Sequence, residues 1–567
     1  MRHSPPILCW LSALAQLRTG FAAPLQTVIC KGAEGTNGAV TSESMTCSKI
    51  GIDMIRLGGT AADAMVATEL CVGVTGMYHS GIGGGGFMLV RDKNGRYEAI
   101  DYRESAPAAA HLDMYKDNPN ASVTGPLSVA VPGELRGLEY LHKNYGVLPW
   151  KTVVRPSVKL ARYGFEVTDD LVRYMAAAST SDDFLAADPI WAQDFAPNGT
   201  LVKRGDVITR KRLADTLEKI ADEGADVFYE GDLAKSMIDL IQSLNGIMTL
   251  QDLKDYAVKV KEPLSIKFGD YQLYTTPAPS SGAVMFNMLK IMEQYPQQDL
   301  QDANLTTHRF VEAMKFAYGA RQELGDPDYI SNMTKYQELM LSEHIAKEIR
   351  YRIFDNTTQP LSAYNPLSIY AAESSGTSHI VTADRSGLTV SATTTINLLF
   401  GARLMTADSG IILNDEMDDF SQPGRRNSFG FEPSPSNFIA PGKRPLSSIV
   451  PLMAEWACNS TLFFTTGAAG GSRIISSTTQ VAWNLLELGM NVRDAIAAPR
   501  LHDQLMPDVL ALEDTFDQSV ALSLAEKGHN VTMMPAGSAV QGIVRLYDGK
   551  FAAAGETRQM DSGGLTV

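Results

Sequence analysis

The sequence predicts an α+β layered sandwich, in which helices cover paired strands. Two hairpins provide the strands. Residues 378–384 and 388–400 are rich in Val, Ile and Thr and are joined by an Arg-Ser-Gly turn, and residues 447–456 and 461–467 repeat this pattern. An apolar helix is predicted over residues 473–488, directly after the second hairpin. Strands that lead into helices on a shared sheet indicate the layered class.

The part of the chain before these hairpins is mostly helical. Apolar periodicity predicts helices over residues 44–57 and 60–77, and then a glycine run, Gly83–Gly86, leads into a strand whose partner is predicted over 97–102. Helical patterns recur over 212–228, 232–242 and 306–325, with a strand-like segment at 264–276. Residues 355–376 are polar and rich in turn residues, which predicts an exposed loop.

Length and charge limit the possible functions. A chain of 567 residues predicts two to four domains, or one large elaborated domain. Its content of 44% hydrophobic and 20% charged residues is typical of a soluble globular protein. The net charge of −15 argues against a nucleic-acid partner, because a phosphate backbone needs a positive face.

The N-terminus has the pattern of a secretory signal peptide. Arg2 and His3 precede an apolar run over residues 7–17, and Gly20-Phe21-Ala22-Ala23 follows it as an exit that ends in small residues. The run is too short for a bilayer span, which needs about 20 apolar residues. The alternative is a buried first strand or helix. Because the basic start, the short apolar run and the small residues at the exit together fit a signal peptide, we expect residues 1–23 to be removed. We expect the mature protein to be secreted, without a stable membrane span.

Two further features are typical of an exported chain. Asn-X-Ser/Thr acceptor sites for glycosylation occur at Asn120, Asn198, Asn304, Asn332, Asn356, Asn459 and Asn530. Beyond the signal region the cysteines are Cys30, Cys47, Cys71 and Cys458, an even number that permits disulfides. Four buried thiols are the alternative. No Cys-X-X-Cys pair or Cys/His cluster indicates zinc, so we expect no metal.

Several common site patterns are excluded. The Gly83–Gly86 run follows a predicted helix and precedes a strand, which is the reverse of a dinucleotide-binding loop. Residues 467–473 contain the glycines of a phosphate loop but lack its Lys-Ser/Thr ending. No Gly-X-Ser-X-Gly elbow for a Ser-His-Asp triad occurs in the chain.

Thr377 is the candidate nucleophile, and two bases are possible for it. His379 lies two residues further on, so a strand would turn both side chains to the same face and permit a Thr–His pair. Alternatively, cleavage between Gly376 and Thr377 would give Thr377 a free α-amine. Such an amine titrates near pH ~7.7–8.0 and would serve as the base of its own hydroxyl. The loop before Thr377 and the strand after it suit that cleavage.

Six motifs in one order resemble the γ-glutamyltransferases (γ-glutamyl transpeptidases, glutathione hydrolases), which are N-terminal nucleophile hydrolases. They are GTSHIVTAD (376–384), SATTTIN (391–397), NDEMDDF (414–420), PGKRPLSSIVP (441–451), GAAGGSRI (467–474) and PRLHDQLMP (499–507). The similarity continues upstream over 50–67, 81–90 and 101–110. It implies a four-layer αββα sandwich and a precursor that cleaves itself between Gly376 and Thr377. A large subunit, 24–376, and a small subunit, 377–567, would stay associated.

The resemblance also implies catalytic roles. Thr377 becomes the nucleophile with its own amine as base, and Thr395 contacts it. Gly470 and Gly471 match the oxyanion hole, where the absence of side chains lets backbone amides approach a developing negative charge. His379 is then structural.

A γ-glutamyl group carries an α-ammonium and an α-carboxylate, so its pocket needs both signs of charge. Glu416 and Asp419 match the family's ammonium-binding carboxylates, and Asn397 matches a further polar contact. Arg103 matches the carboxylate-binding arginine, whose planar fork suits a bidentate contact. Ser447 and Ser448 match the pair that completes carboxylate binding.

The remaining implications concern cysteines and departures from the family pattern. Cys47 and Cys71 match a family disulfide, which leaves Cys30 and Cys458 as a possible pair. Leu399, which follows Leu398, stands where animal members have an aromatic residue, and this departure leaves open how the pocket closes over substrate and how narrow donor choice is. A cleavable signal replaces the membrane anchor of animal relatives.

The predicted function is thus an exported γ-glutamyltransferase with glutathione hydrolase activity. Its substrates would be glutathione and other γ-glutamyl compounds, its acceptors water, amino acids or dipeptides, and no cofactor is expected. Two alternatives remain: another N-terminal nucleophile amidase, such as a β-lactam acylase, and an uncleaved relative that has become a binding or storage glycoprotein.

Overall fold

A computed structural model of the chain describes residues 35–180, 182–371, 376–428 and 430–567. The predicted signal peptide and Cys30 lie outside the described residues. Within them the strands are β1 (Gly38–Ser42), β2 (Gly85–Arg91), β3 (Tyr97–Tyr102), β4 (Phe165–Glu166), β5 (Val207–Ile208), β6 (Lys259–Lys261), β7 (Leu264–Phe268), β8 (Tyr271–Thr275), β9 (Ile369–Tyr370), β10 (Ser378–Asp384), β11 (Thr389–Thr395), β12 (Glu432–Pro433), β13 (Leu452–Trp456), β14 (Leu462–Ala469), β15 (Leu501–His502), β16 (Leu510–Glu513), β17 (Val531–Met534), β18 (Ala539–Arg545), β19 (Phe551–Ala554) and β20 (Gly563–Thr566).

The helices of the same ranges are α1 (Met45–Arg56), α2 (Ala61–Thr75), α3 (Glu134–Tyr145), α4 (Trp150–Tyr163), α5 (Asp169–Ala178), α6 (Phe184–Ala187), α7 (Pro189–Phe195), α8 (Lys211–Glu223), α9 (Asp226–Glu230), α10 (Asp232–Ser243), α11 (Leu250–Asp255), α12 (Gly282–Met292), α13 (Ala303–Arg321), α14 (Met333–Met340), α15 (Glu343–Arg352), α16 (Leu361–Tyr364), α17 (Arg473–Leu486), α18 (Val492–Ala497) and α19 (Gln518–Glu526). None of the helices in the described part of the chain is long and apolar enough to cross a membrane.

Two antiparallel sheets form the centre of the molecule. The seven-stranded sheet has the order β20-β1-β10-β11-β2-β3-β6, and the six-stranded sheet has the order β19-β18-β14-β13-β8-β7. Both sheets combine strands that precede the Gly376–Thr377 bond with strands that follow it. The two predicted hairpins are β10–β11 and β13–β14.

The two sheets pack face to face, and helices cover their outer faces. Apolar residues of β1 and β10 meet Ile543 of β18 and Phe551 of β19 between the sheets. Helices α1 and α2 bury their side chains against the outer face of the seven-stranded sheet, and α12, α13 and α17 against that of the six-stranded sheet. The fold is therefore a four-layer αββα sandwich, which confirms the predicted class.

Local sequence explains the first helices. The Ser44 side chain caps α1 by accepting a hydrogen bond from the Cys47 amide. Thr60 and Asp63 form a reciprocal capping box at the start of α2. The predicted Cys47–Cys71 disulfide is present and joins the two helices, with the Cα atoms 5.4 Å apart. Cys458 is exposed, and its suggested partner lies outside the described residues.

The segment expected to be an exposed loop is more ordered than predicted. Residues 355–371 include α16 and β9, and β9 pairs in parallel with β12. The Tyr364 side chain is buried, and its hydroxyl donates to Glu312 of α13 at 2.7 Å. Most residues of the segment are exposed or half-buried, as its polar composition indicated, and Tyr364 is buried because its hydroxyl finds a partner in a distant part of the chain.

The predicted glycosylation acceptors lie mostly at the surface. Six of the seven asparagines are exposed, and the other, Asn304, is half-buried. Their use as acceptors remains a prediction.

Candidate active site

Thr377 lies immediately before β10 and is buried between the sheets. Its hydroxyl Oγ1 accepts a hydrogen bond from the backbone amide of Gly470 at 3.0 Å, and Thr377 as a whole is only 4% exposed. The predicted nucleophile and a predicted oxyanion-hole residue are therefore in direct contact, although they are 93 residues apart in the chain.

The bond that precedes Thr377 is held by neighbouring groups. The Thr395 hydroxyl donates to the Gly376 carbonyl at 2.6 Å and accepts from the Asn397 amide at 2.8 Å. Thr395 thus contacts the carbonyl that precedes the nucleophile. A Cβ on Gly376 would lie 2.1 Å from the Asn397 carbonyl oxygen, so only glycine fits at this position.

The glycine turn between β14 and α17 provides the amide that faces Thr377. Gly470 and Gly471 have φ values of +125° and +61°, a region that favours glycine. The turn ends at the N-terminus of α17, where helix dipoles contribute partial positive charge. The Tyr318 hydroxyl of α13 donates to the Ser472 carbonyl at 2.5 Å and anchors the turn from the other side. This arrangement suits the stabilisation of a developing oxyanion.

His379 does not contact Thr377. Its Nδ1 is 2.8 Å from the Thr393 hydroxyl and its Nε2 is 3.3 Å from the Ser391 hydroxyl, both on β11. The ring also packs on the backbone of Gly467. Burial lowers the pKa of His379 to about 3, so the imidazole is neutral. The geometry argues against the Thr–His alternative and assigns His379 to the packing between the sheets.

The residues predicted to bind the two charges of a substrate lie together. Arg103 follows β3 directly, and its guanidinium forms ion pairs with Glu416 and Asp419, which occupy a 3₁₀ turn. The Glu104 carboxylate is 3.9 Å from the same guanidinium. Sequence reasoning missed Glu104, although it directly follows Arg103. All four side chains are at most 2% exposed.

Burial and like charge control the ionisation of this cluster. Burial raises the pKa of Glu416 well above its usual range even though Arg103 opposes the change. Burial likewise raises the pKa of Asp419, and that of Glu104 to about 7. For Arg103, burial lowers the pKa, but the carboxylates outweigh it and raise the pKa above its ordinary value. Three carboxyl groups share one guanidinium here, and the raised pKa values mean that they do not all ionise together. An ammonium group that binds beside them would favour their charged form, so it is a favourable partner for the cluster.

Asn397 contacts the segment that carries Glu416 and Asp419, and the two predicted serines have other partners. Asn397 has a positive φ of 70°, and its Nδ2 donates to the Asp415 carbonyl at 3.0 Å. Ser447 and Ser448 are each 2% exposed. The Ser448 hydroxyl accepts from the guanidinium of Arg321 at 3.0 Å, a residue that sequence reasoning missed. The polar residues of the helix predicted over 306–325 were the available signal, but periodicity does not tell which of them are buried. Leu398 and Leu399 are half-buried beside this region.

One group of His and acidic side chains in the described ranges has metal-like spacing. It consists of His308, Glu312 and His529, all buried. The side chains bond to one another and to protein groups: His308 Nδ1 is 2.8 Å from His529 Nε2, and Thr358 and Tyr364 donate to the Glu312 carboxylate at 2.7 Å each. These contacts join α13 to the segments around it.

Comparisons with known proteins agree with this geometry. The family model described as Gamma-glutamyltranspeptidase matches residues 47–565. A protein of Arthroderma benhamiae described as "Glutathione hydrolase proenzyme" is 50% identical, with 99% of this chain and 98% of that protein covered. The crystal structure of a cephalosporin acylase from Bacillus halodurans has a TM-score of 0.83 at 25% identity and covers 97% of this chain and 99% of its own. The Helicobacter pylori gamma-glutamyltranspeptidase structure has a TM-score of 0.53 at 31% identity and covers 56% of this chain and 92% of its own.

Proposed function

The chain belongs to the gamma-glutamyltranspeptidase family, and from this premise we propose which of its residues carry out the reaction. The protein is an enzyme with gamma-glutamyltransferase and glutathione hydrolase activity, and it acts on γ-glutamyl compounds. The observation that carries the residue assignments is the hydrogen bond between the Gly470 amide and the Thr377 hydroxyl, directly after the Gly376–Thr377 bond.

The first proposed step is self-cleavage of the precursor. Thr377 Oγ1 attacks the Gly376 carbonyl carbon, and the C–N bond breaks as the amine takes a proton. Water then hydrolyses the resulting ester, which leaves Thr377 with a free α-amine. The Thr395 hydroxyl supports this step because it donates to the Gly376 carbonyl oxygen at 2.6 Å and so polarises that carbonyl.

Turnover uses the new N-terminus. The α-amine of Thr377 removes the proton from its own hydroxyl, and Oγ1 attacks the γ-carbonyl of the donor. The amides of Gly470 and Gly471 stabilise the oxyanion, and the leaving amine (Cys-Gly in the case of glutathione) departs with the proton. The γ-glutamyl group is then transferred from the Thr377 ester to water, which gives glutamate, or to the amine of an amino acid or dipeptide. Either transfer restores the Thr377 hydroxyl.

Recognition of the γ-glutamyl head uses both charges of the buried cluster. We assign the α-ammonium to Glu416, Asp419 and Asn397, and the α-carboxylate to Arg103, Ser447 and Ser448. Arg103 pairs with Glu416 and Asp419 in this structure. A zwitterionic substrate replaces each of these internal pairs with a pair of the same kind, so neither charge is left buried alone.

The organisation of the mature protein is also a proposal. Residues 1–23 direct secretion, residues 24–376 form the large subunit, and residues 377–567 form the small subunit. The exposed acceptor asparagines and the disulfide are typical of an exported protein.

An acylase activity is the second candidate, because the cephalosporin acylase has a similar fold. The pocket favours γ-glutamyl donors, since a glutaryl group lacks the ammonium that would pair with Glu416 and Asp419. We expect a glutaryl anilide to be cleaved much more slowly than a γ-glutamyl anilide. Equal rates would contradict the assignment of this carboxylate pair.

Thr377→Ala tests the nucleophile. We expect neither cleavage nor γ-glutamyl anilide turnover, because the variant has no hydroxyl, whereas Thr377→Ser keeps a hydroxyl and an α-amine and retains both at a reduced rate. N-terminal sequencing of the purified wild-type protein should find a second chain that begins Thr-Ser-His-Ile. A single unbroken chain with full activity would overturn the proposal, as would an active, processed Thr377→Ala variant.

A further inference from the structure

Arg321 is a buried cation that pairs with hydroxyl groups. It is the last residue of α13 and is 1% exposed. Its Nε donates to the Ser281 hydroxyl at 3.2 Å and its Nη2 to the Ser448 hydroxyl at 3.0 Å. Its Nη1 is buried and has no hydrogen-bond partner. In the part of the chain that the structure describes, no carboxylate forms an ion pair with this guanidinium.

Three other buried arginines of the molecule have carboxylate partners, whereas Arg210 bonds to backbone carbonyls. Arg103 pairs with Glu416 and Asp419, Arg444 with Asp101, and Arg500 with Glu556. A buried charge without a partner of opposite sign is unfavourable, so an anion that binds beside Arg321 gains more than it would beside a neutralised arginine.

The contacts of Arg321 hold both serines of the proposed carboxylate site. It bonds directly to the Ser448 side chain. It also bonds to Ser281, whose hydroxyl donates to the Ser447 carbonyl at 2.6 Å. A serine hydroxyl has one donor hydrogen and two acceptor lone pairs. Because Arg321 donates to the Ser448 oxygen, the Ser448 hydrogen remains free to donate to another acceptor.

We propose that Arg321 is a positioning residue for the donor carboxylate. It turns the Ser448 hydroxyl into a donor toward the α-carboxylate of the γ-glutamyl group, and its charge offsets that carboxylate through the shared hydroxyl. This role rests on the proposed function, in which Ser447 and Ser448 bind the carboxylate. The carboxylate is present in the ground state and the transition state alike, so Arg321 affects donor binding and leaves the chemical step unchanged.

Three anilide donors separate this role from a structural one. They are the γ-glutamyl anilide, the 4-aminobutyryl anilide, which lacks only the α-carboxylate, and the glutaryl anilide, which lacks only the α-ammonium. In Arg321→Met we expect KM for the γ-glutamyl donor to rise about tenfold to hundredfold with kcat unchanged, the usual effect of losing a charge-assisted hydrogen bond. The glutaryl donor should lose kcat/KM by a similar factor, and the 4-aminobutyryl donor should lose none.

Controls distinguish the possible failures. Arg210→Lys alters another arginine that is 1% exposed, which bonds to the backbone carbonyls of Gly73 and Gly410, and should change none of these ratios. Equal loss on all three donors in Arg321→Met, or no loss, overturns the role of Arg321. A wild-type enzyme that cleaves the γ-glutamyl and 4-aminobutyryl donors equally well overturns the proposed carboxylate site itself.

If Arg321→Met does not mature, Arg321→Lys decides, because a lysine reaches only one of the two serines. An intermediate loss of kcat/KM for the γ-glutamyl donor relative to the 4-aminobutyryl donor supports the role, and an unchanged ratio of the two values overturns it.

Discussion

At the residue scale, the surroundings of Thr377 favour a nucleophile that supplies its own base. The Gly470 amide contacts its hydroxyl, and the nearby imidazole of His379 is turned to β11. The Gly376 carbonyl is simultaneously held by the Thr395 hydroxyl. One cluster of backbone and hydroxyl groups is therefore suited to both the cleavage of the chain and the later cleavage of substrate.

Gly376→Ala should slow the proposed cleavage strongly. The added Cβ would lie 2.1 Å from the Asn397 carbonyl oxygen, so the backbone must move and the carbonyl loses its alignment with Thr395 and Thr377. The measurement is the fraction of cleaved chain over time on a denaturing gel.

Gly424→Ala is the control, because Gly424 also has a positive φ but has no atom within 4 Å of an added Cβ. That control costs about 1–2 kcal/mol of backbone strain and should not delay cleavage. Cleavage of Gly376→Ala at the wild-type rate would contradict the steric argument.

At the element scale, β10 illustrates how one strand serves two layers. Its odd-numbered residues, His379, Val381 and Ala383, face the second sheet, whereas Ile380 and Thr382 face the helices. The alternation follows from the period of two in a strand. Thr377 precedes the strand in the odd-numbered register, which directs its hydroxyl toward the β14–α17 turn.

The histidine in β10 should make the fold sensitive to acid. Burial lowers the pKa of His379 to about 3 from its ordinary 6.5, so the unfolded chain binds a proton that the folded chain excludes. The resulting stability is complete above about pH 6.5 and is lost as the pH falls from there toward 3. Between pH 7 and 5 the wild-type protein should lose about 2 kcal/mol more free energy of unfolding than His379→Gln, whose amide does not titrate.

Urea unfolding at the two pH values measures this difference. His344→Gln, a change at an exposed histidine of α15, serves as the control and should retain the wild-type dependence. If His379→Gln also retained it, then the His379 ring would be able to ionise within the fold.

Helix α13 is the second element on which the site depends. Tyr318 bonds to the Ser472 carbonyl, Arg321 bonds to Ser448, and Glu312 accepts from Tyr364. One helix of the proposed large subunit therefore orients two loops of the proposed small subunit and the segment that leads to the cleavage bond.

At the scale of the whole molecule, the proposed subunits share both sheets. Strand β1 lies between β20 and β10 in the seven-stranded sheet, and β8 pairs with β13 in the six-stranded sheet. Separating the subunits would break these backbone ladders and expose the core between the sheets. Such exposure is strongly unfavourable.

We therefore expect cleaved protein to remain a single species. Size-exclusion chromatography under native conditions should elute both chains together, and only denaturant should separate them. Disulfide reduction should not release either chain. Cys47 and Cys71 both precede the cleavage bond, and the shared sheets would hold the chains together whether or not Cys30 and Cys458 pair. Elution of a free small subunit from native, processed protein would contradict the shared-sheet argument.

Sequence by itself determined the fold class, the strands β10, β11, β13 and β14, the disulfide, and the set of candidate site residues. These rest on local signals: the period of two in strands, the spacing of caps and turns, and short motifs whose order resembles one family. The base of Thr377 stayed open between His379 and the α-amine, because spacing places two side chains on one face without revealing their partners.

Only the tertiary structure decided which groups meet. Arg103 and Asp419 are 316 residues apart, and Arg321 and Ser448 are 127 apart, so no periodicity connects either pair. It also decided that His379 bonds to β11, that Glu104 joins the charged cluster, and that Tyr364 packs on α13. Contacts between distant parts of a chain depend on how its layers stack, and burial in those layers sets the charge state of each group. A local pattern contains neither kind of information.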